Sequence, residues 1–227
     1  MTAGTLLIAG IATALAFAVI ERSLLTGTGY LTRISANAGR LTAGGLTELV
    51  AAAASAAIAI ALYPALRKRS QGLALGAVAF RVIETAMYAV GGVITLSLPG
   101  IARQYAQAVA PDHSGIQAIA DTLVGVRQYA ILAGVLAYIT GALMYYCVLY
   151  QSRLLPRWLV AWGISAEVPM LIACLSAAFS HTPVTSYTLL YLPIAAQEIT
   201  MGTWLMLRGF SSKTIIQNGR PVQPVGN

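Results

Sequence analysis

Charged side chains are scarce in this chain: they make up 9% of its 227 residues, where soluble domains carry about 25%. That deficit argues against a soluble enzyme or binding module, because a water-facing surface needs more ionic groups. Acids are scarcer than bases, seven against fourteen. The net charge of +7 is scattered, with no basic patch interleaved with aromatics, so nucleic acid is not an expected partner. Histidine occurs only at His113 and His181, in stretches that read as loops. Without HExxH or paired-cysteine spacing no metal site is assigned, and a carboxylate-only site for a hard cation is the remaining option. GxGxxG, P-loop and GxSxG patterns are missing, and a serine or cysteine nucleophile within the spans would lack a nearby histidine, so neither triad chemistry nor a cofactor is expected. Cys147 and Cys174 both fall in apolar runs and read as small packing residues rather than a disulfide. The first apolar run lacks a basic region before it, so despite its ALAFA stretch it reads as a retained first helix.

What is present is apolar surface. Apolar residues make up 58%, mean hydropathy is +0.74, and several runs reach the ~20 residues a helix needs to cross a bilayer. The expected fold is all-α, a polytopic membrane bundle of six transmembrane helices. They are placed at Thr2 to Ile20, Leu41 to Leu66, Leu73 to Leu98, Val124 to Tyr150, Arg157 to Phe179 and Thr185 to Arg208. Residues 1–208 form this domain, and the polar stretch 209–227 is expected to be a disordered tail. Eight basic residues (Arg67, Lys68, Arg69, Arg153, Arg157, Arg208, Lys213, Arg220) flank one side and four (Arg22, Arg33, Arg40, Arg103) the other, which places both termini in the cytoplasm. Two long outer connections remain. Glu21 to Arg40 is one; in the other, Pro99 to Leu123, the IARQYAQAVA stretch has the apolar stripe of a helix lying on the membrane surface, followed by the turn residues PDHSG. The second helix, with Gly44, Gly45 and near-continuous alanine from Ala51 to Ala57, reads as a close-packing surface.

Against this background six ionisable residues inside the spans stand out: Glu48, Arg81, Glu84, Arg127, Glu167 and Glu198. Each costs about 2.5 to 3.5 kcal/mol at a helix centre even on the lenient insertion scale. At 1.5 Å per residue, Glu84, Glu167 and Glu198 lie roughly 21, 18 and 20 Å from the outer ends of their helices, with Arg81 one turn deeper. Glu48 and Arg127 are shallower and suit a second pair. Arg81, Glu84, Thr85, Tyr88, Gly92 and Thr95 form one stripe at three- and four-residue spacing, which should face inward. Pro169 follows Glu167 by two residues, and Pro193 precedes Gln197 and Glu198, where a missing N–H loosens a helix. Arg81 can neutralise one carboxylate; the other two must be protonated, share a proton or meet a cation.

Three segments, LYPALRKRSQGLALGAVAFRVIE, LYQSRLLPRWLVAWG and QEITMGTWLMLRG, resemble a group of bacterial integral-membrane proteins, the domain-of-unknown-function family numbered 4386. The matching positions are Leu62, Tyr63, Arg81, Glu84, Leu155, Pro156, Arg157, Glu198, Trp204, Arg208 and Gly209, within about Leu41 to Gly209. The resemblance implies a six-helix membrane fold in the bacterial cytoplasmic membrane and no established activity. Glu48 and Glu167 fall outside its pattern.

The reading that follows is a pocket for a lipid- or isoprenoid-like amphiphile. Glu84, Glu198 and Glu167 are its candidate acid/base groups or proton carriers. Arg81, Tyr88, Glu48, Arg127, Gln197 and Trp204 are candidate ligand-binding residues, with Tyr138, Tyr145 and Trp162 in reach. Membrane lipids are the expected partners, and an oligomer is compatible with the sequence. One alternative is a proton- or cation-coupled transporter, against which the lack of an inverted repeat counts unless the protein dimerises. The other is a non-catalytic membrane component whose charged layer orients helices or receives a partner.

Overall fold

A computed structural model describes residues 2–25, 27–109 and 112–209. Among them are seven α-helices and no strand: α1 (Thr2–Leu24), α2 (Tyr30–Ala36), α3 (Ala38–Leu66), α4 (Gln71–Gln107), α5 (Asp112–Ser152), α6 (Arg157–Ser180) and α7 (Leu192–Leu207). A 3₁₀ helix, Val184–Tyr191, leads into α7. Four helices, α3 to α6, are long and apolar enough to cross a membrane. The tail with Lys213 and Arg220 lies outside the described residues.

The long helices pack in chain order, α1 on α3, α3 on α4, α4 on α5, α5 on α6 and α6 on α7, and α7 returns to α1. The result is a closed ring of six helices. Its chemistry is inverted relative to a soluble bundle. Val82, Ile83, Val90 and Val93 of α4 and Val168, Leu171, Ile172 and Leu175 of α6 are exposed, whereas Glu48, Arg81, Glu84, Arg127 and Glu167 are buried. An apolar exterior around a polar interior is what hydrocarbon solvent selects, and it identifies an integral membrane protein.

Small residues set the spacing within the ring. A Cβ at Gly92 would stand 2.7 Å from the Leu49 side chain, and one at Gly163 only 2.5 Å from the Tyr146 ring, so α3–α4 and α5–α6 approach closely because those positions are bare. Cys174 packs in the core as expected, but Cys147 is exposed on the outside of α5.

The outer connections differ from expectation. IARQYAQ does not lie on a membrane surface: α4 runs straight through Pro99 to Gln107, and IQAIADTL is the first part of α5. The reason is a second small core. Leu31 and Ile34 of α2 pack with Leu98 and Ala102 of α4 and Ala120 of α5, so the stripe is buried in protein rather than in lipid. At 1.5 Å per residue α4 and α5 are roughly 55 and 60 Å long, about twice the hydrocarbon thickness, so they project beyond it and carry α2 against them. Gly27 and Gly29, at φ 81° and 70°, allow the chain to reverse from α1 into α2. The Tyr30 hydroxyl then donates to Asp121 at 2.8 Å; burial, aided by that carboxylate, holds its phenol un-ionised far above the usual range. His113 stacks on Tyr105 at 4.6 Å across the α4–α5 junction. Pro193 does not loosen a helix either, since it sits in the first turn of α7, where no N–H is required.

The Gly163 approach makes a prediction. Gly163→Ala drives a methyl into the Tyr146 ring and should lower stability by about 1–3 kcal/mol, read as a lower unfolding midpoint in detergent. Gly72→Ala, where a Cβ meets nothing within 4 Å, should leave the midpoint unchanged or slightly raised.

Candidate functional site

Two buried arginines organise the interior. Arg81, on the inward stripe of α4, lies 3.2 Å from Glu84 Oε2 and 3.8 Å from Glu198 Oε1. Its Nη1 donates to Ser55 Oγ at 3.0 Å, and that hydroxyl donates to Glu84 Oε2 at 2.8 Å. Its Nη2 donates to the Tyr145 hydroxyl at 3.3 Å. The guanidinium also lies over the Tyr138 ring at 4.2 Å, and the Tyr138 hydroxyl donates to Glu198 Oε1 at 2.8 Å. One arginine therefore joins α3, α4, α5 and α7.

Arg127 repeats the scheme between other helices. It meets Glu48 at 3.3 Å, as expected, and also Glu21 at 2.8 Å, while its Nε donates to Thr95 Oγ1 at 2.8 Å. Thr95 stands 3.1 Å from Glu48 Oε2. Glu21 was expected in the first outer connection; it lies within α1, which runs four residues further than its apolar run suggests. This second cluster joins α1, α3, α4 and α5 and does not line the central cavity.

Glu167 is the exception. It is buried, its electrostatic neighbours are Glu198, Arg81 and Glu84, and neither carboxyl oxygen has a hydrogen-bond partner among the described residues. Both arginines are engaged elsewhere, so this carboxyl has no counter-charge in contact.

Beside the first cluster lies a cavity of about 340 Å³. All six helices of the ring and the 3₁₀ segment line it, through residues such as Ile11, Ala51, Val135, Met170, Thr185 and Ala195. Its polar lining comes from Arg81, Glu84 and Glu198 with the tyrosines 88, 138 and 191 and the hydroxyl residues Ser55 and Thr185. Two buried donors on lining residues, Arg81 Nε and the Tyr191 hydroxyl, have no partner among the described residues.

The structure thus brings Arg81, Glu84, Tyr88 and Glu198 together at the cavity, with Glu167 behind them. Gln197 and Trp204 are elsewhere. Gln197 is fully buried, accepts from the Tyr146 hydroxyl at 2.7 Å and donates to the Leu159 carbonyl at 3.1 Å, a clamp between α5, α6 and α7. It neighbours Glu198, but adjacent helical residues point about 100° apart. Trp204 stacks edge-on with Trp158 at 6.4 Å near the end of α7. Ser55, hidden in the alanine run, and Tyr191 were not singled out in the sequence. A lone hydroxyl within seven small residues was the available signal for Ser55.

The Arg127 cluster makes a prediction. Arg127→Met leaves Glu21 and Glu48 without a cation and should cost on the order of 3–5 kcal/mol. Adding Glu21→Gln and Glu48→Gln should recover at least half of that loss in the same unfolding measurement, and no recovery would mean the arginine acts through packing alone.

The family model described as a domain of unknown function, numbered 4386, matches residues 2–209. No curated protein and no solved structure matches the chain. The match takes in α1 and Glu21 as well as the segments from Leu41 onward. Spanning the whole ring and both arginine clusters, it shows that the chain belongs to the domain-of-unknown-function family numbered 4386.

Proposed function

We propose that the central cavity binds the polar head of a lipid- or isoprenoid-like amphiphile. The observation that carries this reading is the pairing of a largely apolar cavity of about 340 Å³ with two buried, unpartnered donors on its walls, Arg81 Nε and the Tyr191 hydroxyl. Ligand sites begin at about 300 Å³, and buried donors without acceptors call for an explanation. Because Glu84 and Glu198 already flank Arg81, the fitting headgroup is a neutral acceptor, a hydroxyl, carbonyl or ester, rather than an anion. An apolar tail would occupy the space between α1, α3 and α7. Glu198 and Glu84 line the cavity and are the groups placed to exchange a proton with such a headgroup.

The surrounding reading is a multi-pass protein of the bacterial cytoplasmic membrane. In it α1 and the 3₁₀–α7 pair complete six crossings and both termini are cytoplasmic. Support comes from the closed ring and from the approach of Gly4 to Met206, which puts the start of α1 beside the end of α7.

Glu167 favours a second reading, proton-coupled transport, since a buried carboxyl without a partner can gain and lose a proton without breaking a contact.

Protein purified in mild detergent and analysed by native mass spectrometry should retain one hydrophobic species enriched over bulk lipid. Ala51→Phe or Ala195→Phe, each filling the cavity, should reduce its occupancy at least about tenfold while preserving the unfolding midpoint. No enriched species, or occupancy unchanged in both variants, would sink the amphiphile reading. Proton flux into liposomes that is lost in Glu167→Gln would instead establish the transport reading.

A further inference from the structure

The opposite extreme of the interior's charge balance is found at one end of the ring. There the α3–α4 turn, the α5–α6 turn and the end of α7 carry Arg67, Lys68, Arg69, Arg153, Arg157 and Arg208. No acid of the chain is near them in sequence: two begin α5, one ends α1, and four lie within the bundle. Sequence after Glu198 contains no acidic residue at all. Among the described residues none of Arg153, Arg157 and Arg208 meets a carboxylate. Among the described residues no carboxylate serves as their counter-charge, and an anion on another molecule can supply it.

The three arginines are also gathered around a defined space. A cavity of about 530 Å³ lies between the α5–α6 turn and the end of α7, lined by these arginines, Pro156 and Trp204. Arg153 is held at φ 53°, a conformation unfavourable for a side-chain-bearing residue. Arg208 lies over the Trp204 ring at 4.6 Å and Arg157 over the Tyr150 ring at 5.2 Å, contacts that hold both side chains in place. Pro156 precedes α6 and supplies no side-chain cap, so the helix's first N–H groups have no side-chain acceptor there.

Depth in the membrane identifies the chemistry. Trp158 is 55% exposed, Tyr150 41% and Leu207 80%; Trp158 meets the lining residue Trp204, Tyr150 lies under the lining residue Arg157, and Leu207 precedes Arg208 in the chain. Exposed tryptophan and tyrosine favour the headgroup level of a bilayer. Guanidinium groups beside them match phosphate oxygens in a bidentate fork.

We propose that this cavity holds the phosphate of an anionic membrane phospholipid, with Arg157 and Arg208 as its principal ligands and the acyl chains lying along Trp158 and Leu207. The site is separate from the central cavity and does not depend on what occupies it.

The test uses the full chain in detergent micelles, titrated with short-chain phosphatidylglycerol, short-chain phosphatidylcholine or inorganic phosphate, with binding read by native mass spectrometry and thermal shift. Phosphatidylglycerol should bind on the order of tenfold more tightly than phosphatidylcholine, because basic residues at a membrane surface favour anionic headgroups. Arg157→Gln with Arg208→Gln should bring the two lipids to near parity, whereas Arg67→Gln with Lys68→Gln and Arg69→Gln should keep the preference. Should the glutamine pair not fold, the lysine pair Arg157→Lys with Arg208→Lys keeps the charge, loses the fork and should still weaken it. Stabilisation by inorganic phosphate with no gain from the glycerolipid would assign the site to a soluble phosphate and overturn its lipid source. Equal binding of the two lipids, or a preference that survives both arginine variants, would overturn the site itself.

Discussion

A guanidinium shared between two carboxylates in a dry interior is the interaction on which the ring depends. Removing a charge from water costs several kcal/mol even after relaxation, and only close partners with further hydrogen bonds offset it. Arg81 and Arg127 each meet that condition with two glutamates and further hydroxyls, Ser55 and Tyr145 in one case and Thr95 in the other. The partners come from different helices, so satisfying the charge fixes which helices adjoin. Arg127 ties α1 to α3, α4 and α5; Arg81 ties α7 to α3, α4 and α5. Between them they tie together five of the six helices of the ring.

Helix α6 stands outside this scheme. Its connections are the Gln197 clamp to the Leu159 carbonyl and the fit of Tyr146 against Gly163, both neutral contacts. Its own carboxyl, Glu167, faces the charged cluster without joining it. The interior is therefore polar in two different ways. Six groups, two arginines and four glutamates, are paired with one another and tie helices together, while a lone carboxyl, a tyrosine hydroxyl and one guanidinium nitrogen are left with unused capacity. Charge is distributed oppositely at the arginine-rich end, where among the described residues the cations meet no carboxylate. The same chain thus over-supplies acid in the middle of the ring and base at its edge.

Much of this is legible in the sequence. Arg81 and Glu84 share a face because they are three residues apart, and Glu198 shares their depth because helical rise is constant. The Glu48–Arg127 pair was legible in the same way. Other parts were not. Glu21 ends an apolar run, and hydropathy alone cannot tell a helix's last turn from the loop after it. Ser55 was masked by an alanine run whose packing role is real. Gln197 and Trp204 were grouped with Glu198 by proximity along the chain, yet one points about 100° away and the other lies two turns further on. The stretch after Pro99 has an amphipathic stripe, and the stripe is equally suited to lipid and to protein; α2 supplied the protein.

The sequence by itself determined that this is an all-helical membrane protein with a charged interior, because apolar runs of that length and glutamates within them admit no other solvent and no other secondary structure. It determined, too, that one set of loops carries unopposed positive charge. Tertiary structure alone decided that each buried arginine serves two carboxylates, that α7 closes on α1, and that Glu167 is the acid left over. Those outcomes depend on the rotation of each helix about its axis and on contacts between residues far apart in the chain, 106 positions for Glu21 and Arg127. Spacing along one helix carries no information about either.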